Sequence, residues 1–112
     1  MELEAYHLVL LRRPDNPPAF SEAELDELQA QHLAYLDTLS DRGLLALNGP
    51  LRNQPDATLR GLSFFCTETA DEALRLAERD PMVRAGRLRV EVMEFWAKPG
   101  SIALPGTPMT VH

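Results

Sequence analysis

The stretch SEAELDELQAQHLAYLDTLSDRGLLAL, residues 21–47, decides the fold of this chain. It opens with Ser21 and, three residues on, Glu24, the capping-box pair whose side chains satisfy each other's backbone N–H at a helix start. It closes on Gly43, the residue type that most readily adopts the left-handed conformation that stops a helix. Between them, at about 100° per residue, Leu25, Leu28, His32, Leu36 and Leu39 share one stripe. The spacing predicts a helix from Ser21 to about Arg42 that buries that stripe against a neighbour. Leu44 to Leu47 follow as a short apolar strand ending at an Asn48-Gly49-Pro50 turn.

The flanking segments supply the neighbour. Ala5 to Arg13 alternates as a strand, with Tyr6, Leu8 and Leu10 to one side and His7, Val9 and Leu11 to the other. Pro14, Pro17 and Pro18 then forbid regular structure before Ser21. Downstream, a polar connection from Arg52 to Thr58 leads to a Phe-rich strand, Gly61 to Thr67. Thr69 with Glu72 opens a second helix that ends near Arg79, because the residue before Pro81 avoids the α region. Pro81 to Ala85 forms a further turn closed by Gly86, and Leu88 to Trp96 is the last strand. The order β-α-β-β-α-β predicts an α+β, ferredoxin-like domain: a four-stranded antiparallel sheet, order 4-1-3-2, with two helices on one face. The domain spans residues 1–98, and residues 99–112, with three prolines and two glycines, form a C-terminal tail.

Composition narrows the function. At 112 residues with 45% apolar side chains, the chain builds one core. Seventeen acids against eleven basic residues, net charge −6, exclude a phosphate-neutralising face, so nucleic acid is not an expected partner. No apolar run approaches the roughly 18 residues of a membrane span. Acids in Met1-Glu2-Leu3-Glu4 and a single cysteine point to a cytoplasmic protein. Cys66, beside Phe64 and Phe65, is expected as a small buried hydrophobe of the strand rather than a nucleophile. His7, His32 and His112 are scattered without ligand spacing, and no glycine-rich phosphate loop occurs, so neither metal nor cofactor is expected.

Two features go beyond a generic domain. Both parities of the strands carry large apolar side chains; Val9, Leu11, Phe65, Met93 and Phe95 fall on the second parity. A sheet covered on one face only would be polar on the other. The open face is therefore expected to pack against a second copy in a homodimer, unless the tail folds back over it. The other feature is His32, which occupies a leucine's place in the stripe and needs polar partners there. The second helix's inward stripe, Ala73, Leu76 and Ala77, carries round to Asp80. A carboxylate at that point would fix the imidazole tautomer and make His32 a general acid/base. The competing reading is a hydrogen-bonded core histidine, with Asp80 capping the turn at Pro81. Tyr35 at the stripe's edge, Gly49 and Pro50 where the chain leaves the sheet, and Arg84 are the expected substrate-binding residues. Arg52, Arg60, Arg84 and Arg87 flank the same region, either as holders of an anionic substrate or as solvated surface.

His32-Leu-Ala-Tyr-Leu36, then Gly43-Leu-Leu leading to Gly49-Pro50-Leu51, then Glu72-Ala73 leading to Asp80-Pro81 and Gly86, together resemble the YCII-related proteins over roughly residues 5–97. The resemblance implies a dimeric α+β barrel, in which ferredoxin-like units pair through their sheets. It also implies an active-site His and Asp at His32 and Asp80, and, from a few relatives, dehydrochlorination or lactone-type chemistry on small ring compounds. The proline-rich stretch before Ser21, the tail after Pro99 and the ending Phe95-Trp96-Ala97-Lys98-Pro99 depart from the family's pattern. The expected function is a cofactor-independent lyase or isomerase acting on a small organic metabolite; the alternative is a non-catalytic small-molecule-binding or structural dimeric module.

Overall fold

The computed structural model describes residues 1–103 and 105–109. The elements are β1 (Glu4–Arg12), α1 (Glu22–Asp41), β2 (Leu45–Pro50), β3 (Leu59–Phe65), α2 (Ala70–Glu78), α3 (Pro81–Arg84) and β4 (Arg89–Ala97), followed by a 3-10 turn at Ser101–Ala103. The sheet runs β2-β3-β1-β4 with every neighbouring pair antiparallel, the order expected from the sequence. Of the tail, Leu104 and residues 110–112 lie outside the described residues, His112 among them.

Local chemistry sets both ends of α1. Ser21 Oγ accepts the Glu24 N–H at 3.1 Å while Glu24 Oε1 accepts the Ser21 N–H at 2.9 Å, a complete capping box. At the other end the Leu44 N–H reaches the Leu39 carbonyl at 2.9 Å and the Gly43 N–H reaches that of Ser40 at 3.0 Å, with Gly43 at φ +73°. This double closure requires a left-handed residue, and glycine takes it without a Cβ penalty.

Cross-strand register assigns the two faces of the sheet. His7, Val9 and Leu11 share a face with Phe65, Ser63 and Gly61 on β3 and with Glu94, Val92 and Val90 on β4. Onto it the helices deliver Leu36, Leu39, Ala73 and Ala77, making one core with Val9, Leu11, Leu45 and Phe65. Tyr6, Leu8, Leu10, Leu62, Phe64, Met93 and Phe95 occupy the other face. There Phe64 meets Phe95 and Tyr6 edge to face, with centroids at 5.3 and 6.3 Å. Met93 and Phe95 thus lie opposite to Val9 and Leu11, while both parities of β1, β3 and β4 carry large apolar groups.

Two details differ from the sequence reading. β2 does not stop at Leu47 but continues through Asn48, Gly49 and Pro50. The Leu51 N–H donates to the Arg60 carbonyl at 2.9 Å, so Pro50, opposite Gly61, holds a position whose N–H would face away from β3. A proline there costs the ladder no hydrogen bond, which is why an edge strand tolerates it. Cys66 is exposed rather than buried, because β3 ends at Phe65 and the next residue turns out toward solvent. Its partial burial still pushes the thiol pKa up, away from a reactive thiolate.

Candidate functional site

α1 brings His32 to the helix-covered side of the sheet one turn before the buried Leu36, as its place in the stripe requires. α2 ends at Glu78, and Asp80 is the N-cap of α3, with φ −59° and ψ 129° and with Pro81 at the first helical position. Asp80 is 2% exposed. Its Oδ1 accepts the Met82 N–H at 2.9 Å as the α3 cap, and its Oδ2 accepts from His32 Nδ1 at 2.6 Å. One carboxylate therefore serves both as helix cap and as imidazole partner, its two oxygens divided between the tasks. With Nδ1–H donated to Asp80, the remaining lone pair of a neutral His32 sits on Nε2. Among the described residues no group within hydrogen-bonding distance takes that nitrogen, and it is not sealed from solvent.

His32 lines a cavity of about 310 Å³, near the lower end of the range for small-molecule sites. Leu33 and Leu36 join it from α1; Asn48, Gly49 and Pro50 from β2; Met82 from α3; Arg87 and Leu88 from the α3–β4 turn. The β2 wall is held close by Gly61, where a Cβ would stand 2.9 Å from the Gly49 carbonyl oxygen. The α3–β4 turn is a second left-handed closure. The Arg87 N–H bonds the Met82 carbonyl and the Gly86 N–H that of Val83, each at 3.0 Å, with Gly86 at φ +79°. That reversal carries Arg87 and Leu88 to the cavity.

Of the residues the sequence singled out, His32, Gly49, Pro50, Arg60 and Arg87 line this cavity. Tyr35 does not: its hydroxyl donates to the Leu76 carbonyl at 2.7 Å. Its place at the stripe's edge directs it across to α2, where it fastens the turn leading into Asp80. Burial first, and then the nearby Asp80 charge, push the Tyr35 pKa up, against the lowering effect of Arg79. Arg84, on α3, is absent from the cavity wall; the Gly86 turn separates it from Arg87, which is present.

Sequence reasoning missed Arg13, Gln29 and Ser63, all of which line the cavity. Arg13 continues the helix-facing parity of Val9 and Leu11, and Gln29 precedes His32 by three helical residues; both signals were present. Ser63, 2% exposed between Gly61 and Phe65, was hidden by the apolar look of its strand. His7 is also buried, with its ring nitrogen Nδ1 at 3.1 Å from the Thr67 carbonyl, a structural bond between β1 and the segment that follows β3. Among the described residues no three His, Cys, Asp or Glu side chains gather closely enough to hold a metal ion, and no helix is long and apolar enough to cross a membrane.

The family model described as the YCII-related domain matches residues 7–96. Among solved structures, 5-chloro-2-hydroxyhydroquinone dehydrochlorinase from Burkholderia phenoliruptrix AC1100, in complex with 2,5-dihydroxybenzoquinone, is similar at 28% identity. The match covers 77% of this chain and 90% of that one, with a TM-score of 0.49. No curated protein matches the chain.

Proposed function

The chain belongs to the YCII-related family, and on that premise we propose that it is an enzyme of lyase or isomerase type, moving a proton on a small organic metabolite with His32 as general base and acid. The observation that carries the reading is the polarity of the imidazole: Nδ1 is held by a buried carboxylate at 2.6 Å, and Nε2 has no partner among the described residues on a ring that lines the cavity. Asp80 acts as a positioning residue. It fixes the tautomer that puts the lone pair on Nε2 and stabilises the imidazolium formed when that lone pair takes a proton.

The simplest reaction within reach of these groups starts at a carbon beside a carbonyl. Nε2 removes the proton, and the C–H electron pair becomes an enolate. In an isomerase the imidazolium returns the proton to a different atom. In a lyase the enolate expels a leaving group from the neighbouring carbon, which departs with the bonding pair, and His32 passes its proton to that group or to water. Deuterium wash-in tests the reading without a known product: the protein is incubated in D2O with a panel of small carbon acids and exchange is followed by mass spectrometry. His32→Ala should abolish exchange while keeping the fold. Exchange that survives that substitution unchanged would overturn catalysis by this imidazole.

The same reading makes the protein a homodimer through the open sheet face. Met93 at 42%, Phe95 at 41% and Leu47 at 53% exposure stand among Tyr6, Leu8, Leu10 and Phe64. Covering such side chains stabilises by about 1.5–3 kcal/mol for each one fully buried. A single 12.5 kDa species in sedimentation equilibrium at micromolar concentration would exclude the dimer. A cytoplasmic address belongs to this proposal as well, supported by the lone cysteine. A non-catalytic binding module is the second reading, since the Asp80 cap gives the carboxylate a structural task independent of any reaction.

A further inference from the structure

The charge of the cavity runs opposite to that of the molecule. In a chain of net charge −6, the cavity wall holds, among the described residues, three arginines, Arg13, Arg60 and Arg87, and no aspartate or glutamate. Asp80 reaches the site only from behind His32. Among the described residues none of the three arginines is ion-paired, whereas the neighbouring Arg12 is matched to Asp56 and Glu91, and Arg89 to Glu91. Arg60 donates one bond, to the Ala57 carbonyl at 3.2 Å. Arg13 is the least satisfied: its Nε is buried and has no hydrogen-bond partner among the described residues.

An unmet guanidinium nitrogen withdrawn from water is destabilising, and like charges gathered beside it add to that. Folded chains retain such an arrangement where function uses it. Placing a carboxylate against a guanidinium edge satisfies two N–H groups at once, since the planar fork matches the two oxygens. The rest of the wall, with Leu11, Leu33, Leu36, Met82 and Leu88, suits an apolar body rather than a second charge.

From this convergence we infer that the cavity is a carboxylate site: the substrate is a small organic acid whose anionic end is held by Arg13, with Arg60 and Arg87 beside it, and whose apolar body lies toward His32. The inference rests on the proposed function for the role of His32 but not for the anion itself. Burial, then the charges of Arg87 and Arg60, push the Arg13 pKa down, in keeping with cations crowded together in want of a counter-charge. A bound carboxylate also serves the chemistry proposed above. It fixes the acid at one end, so that the carbon to be deprotonated is presented to Nε2 in one orientation.

The test uses benzoate as an anionic probe and benzamide, of the same shape but uncharged, as its control, titrated into the 15N-labelled full chain. Benzoate should give a saturable shift of the Arg13 Nε–Hε and His32 ring signals, with benzamide at least tenfold weaker. Arg13→Met should weaken benzoate at least tenfold, and Arg13→Lys, which keeps the charge but not the fork, by less. Arg87→Met provides the same comparison if Arg13→Met does not fold. Equal affinity for the two probes, no saturable shift with benzoate, tighter binding of inorganic phosphate, or indifference to both arginine substitutions would each overturn the carboxylate site. The two proposals fail separately. Benzoate binding that persists while wash-in survives His32→Ala keeps the anion site and removes the catalysis; wash-in that needs His32 while benzoate does not bind does the reverse.

Discussion

Replacing Asp80 by asparagine tests the central pair most directly, because the new side chain has the same shape and loses only the charge. The wild-type carboxylate is 2% exposed and accepts two hydrogen bonds, from His32 Nδ1 at 2.6 Å and from the Met82 N–H at 2.9 Å. The amide introduced by Asp80→Asn would keep one oxygen for Met82 and turn its NH2 toward the imidazole. A charge-assisted bond worth about 1.5–3 kcal/mol is then exchanged for a neutral one worth about 1 kcal/mol, a net loss of about 0.5–2 kcal/mol. Asp80→Ala removes the α3 cap as well, adding about 0.5–2 kcal/mol. In a domain of this size about 1 kcal/mol moves Tm by about 4 °C, so the two variants should separate clearly in a thermal or urea melt. Asp80→Asn should also reverse the tautomer, because the amide donates where the carboxylate accepted, and Nε2 then carries the proton and ceases to be a base. Ring 15N shifts report that reversal, and wash-in should fall by about 10²-fold or more. An Asp80→Asn protein with wild-type stability and an unchanged His32 tautomer would refute the coupling of the two residues.

Other outcomes follow from particular contacts. Gly61→Ala sets a methyl 2.9 Å from the Gly49 carbonyl oxygen, so backbone must shift; a cost of about 1–3 kcal/mol in urea unfolding is expected, with altered probe binding at the β2 wall. Asp56, hydrogen-bonded by Thr58 and paired with Arg12, has its pKa lowered from 3.8 to about 2. A carboxyl depressed in the folded state contributes stability above its unfolded pKa and loses it as pH falls toward its folded one. The urea midpoint of the wild type should therefore drop more steeply than that of Asp56→Asn between about pH 4 and pH 2; parallel curves would exclude the contribution. Tyr35→Phe removes the hydroxyl bond to Leu76 and should cost about 0.5–1.5 kcal/mol, with benzoate affinity unchanged because Tyr35 lies outside the cavity wall.

What can be read from the chain is local or periodic. Ser21 with Glu24, Gly43, Asp80-Pro81 and Gly86 each act through backbone atoms within a few residues, so the ends of α1 and the α3 turn are legible. The rotation that places His32 among leucines is a property of the helix itself, and so is the one that carries Asp80 inward. What escapes depends on partners distant in sequence. Pro50 continues β2 only because the alternation of bonds with β3 leaves its nitrogen facing outward, which no reading of residues 44–50 alone reveals. Tyr35 turns to α2 instead of the cavity, and Arg87 rather than Arg84 lines it, because the direction of a side chain at a stripe's edge, or across a turn, is set by the packed neighbour. Arg13 is hidden for the opposite reason: its parity is plain, but that no acid among the described residues meets it emerges only once the cavity is assembled.

Pro50 has one more effect, at the rim of the sheet. An outer strand normally offers a row of amide donors on which a foreign strand could template itself. Here that row is interrupted beside the cavity mouth, so strand-by-strand growth along this border meets a gap it cannot bridge. The proposed pairing through Phe64 and Phe95 does not use that border: it lies on the face of the sheet, where a two-fold contact closes on itself after two chains.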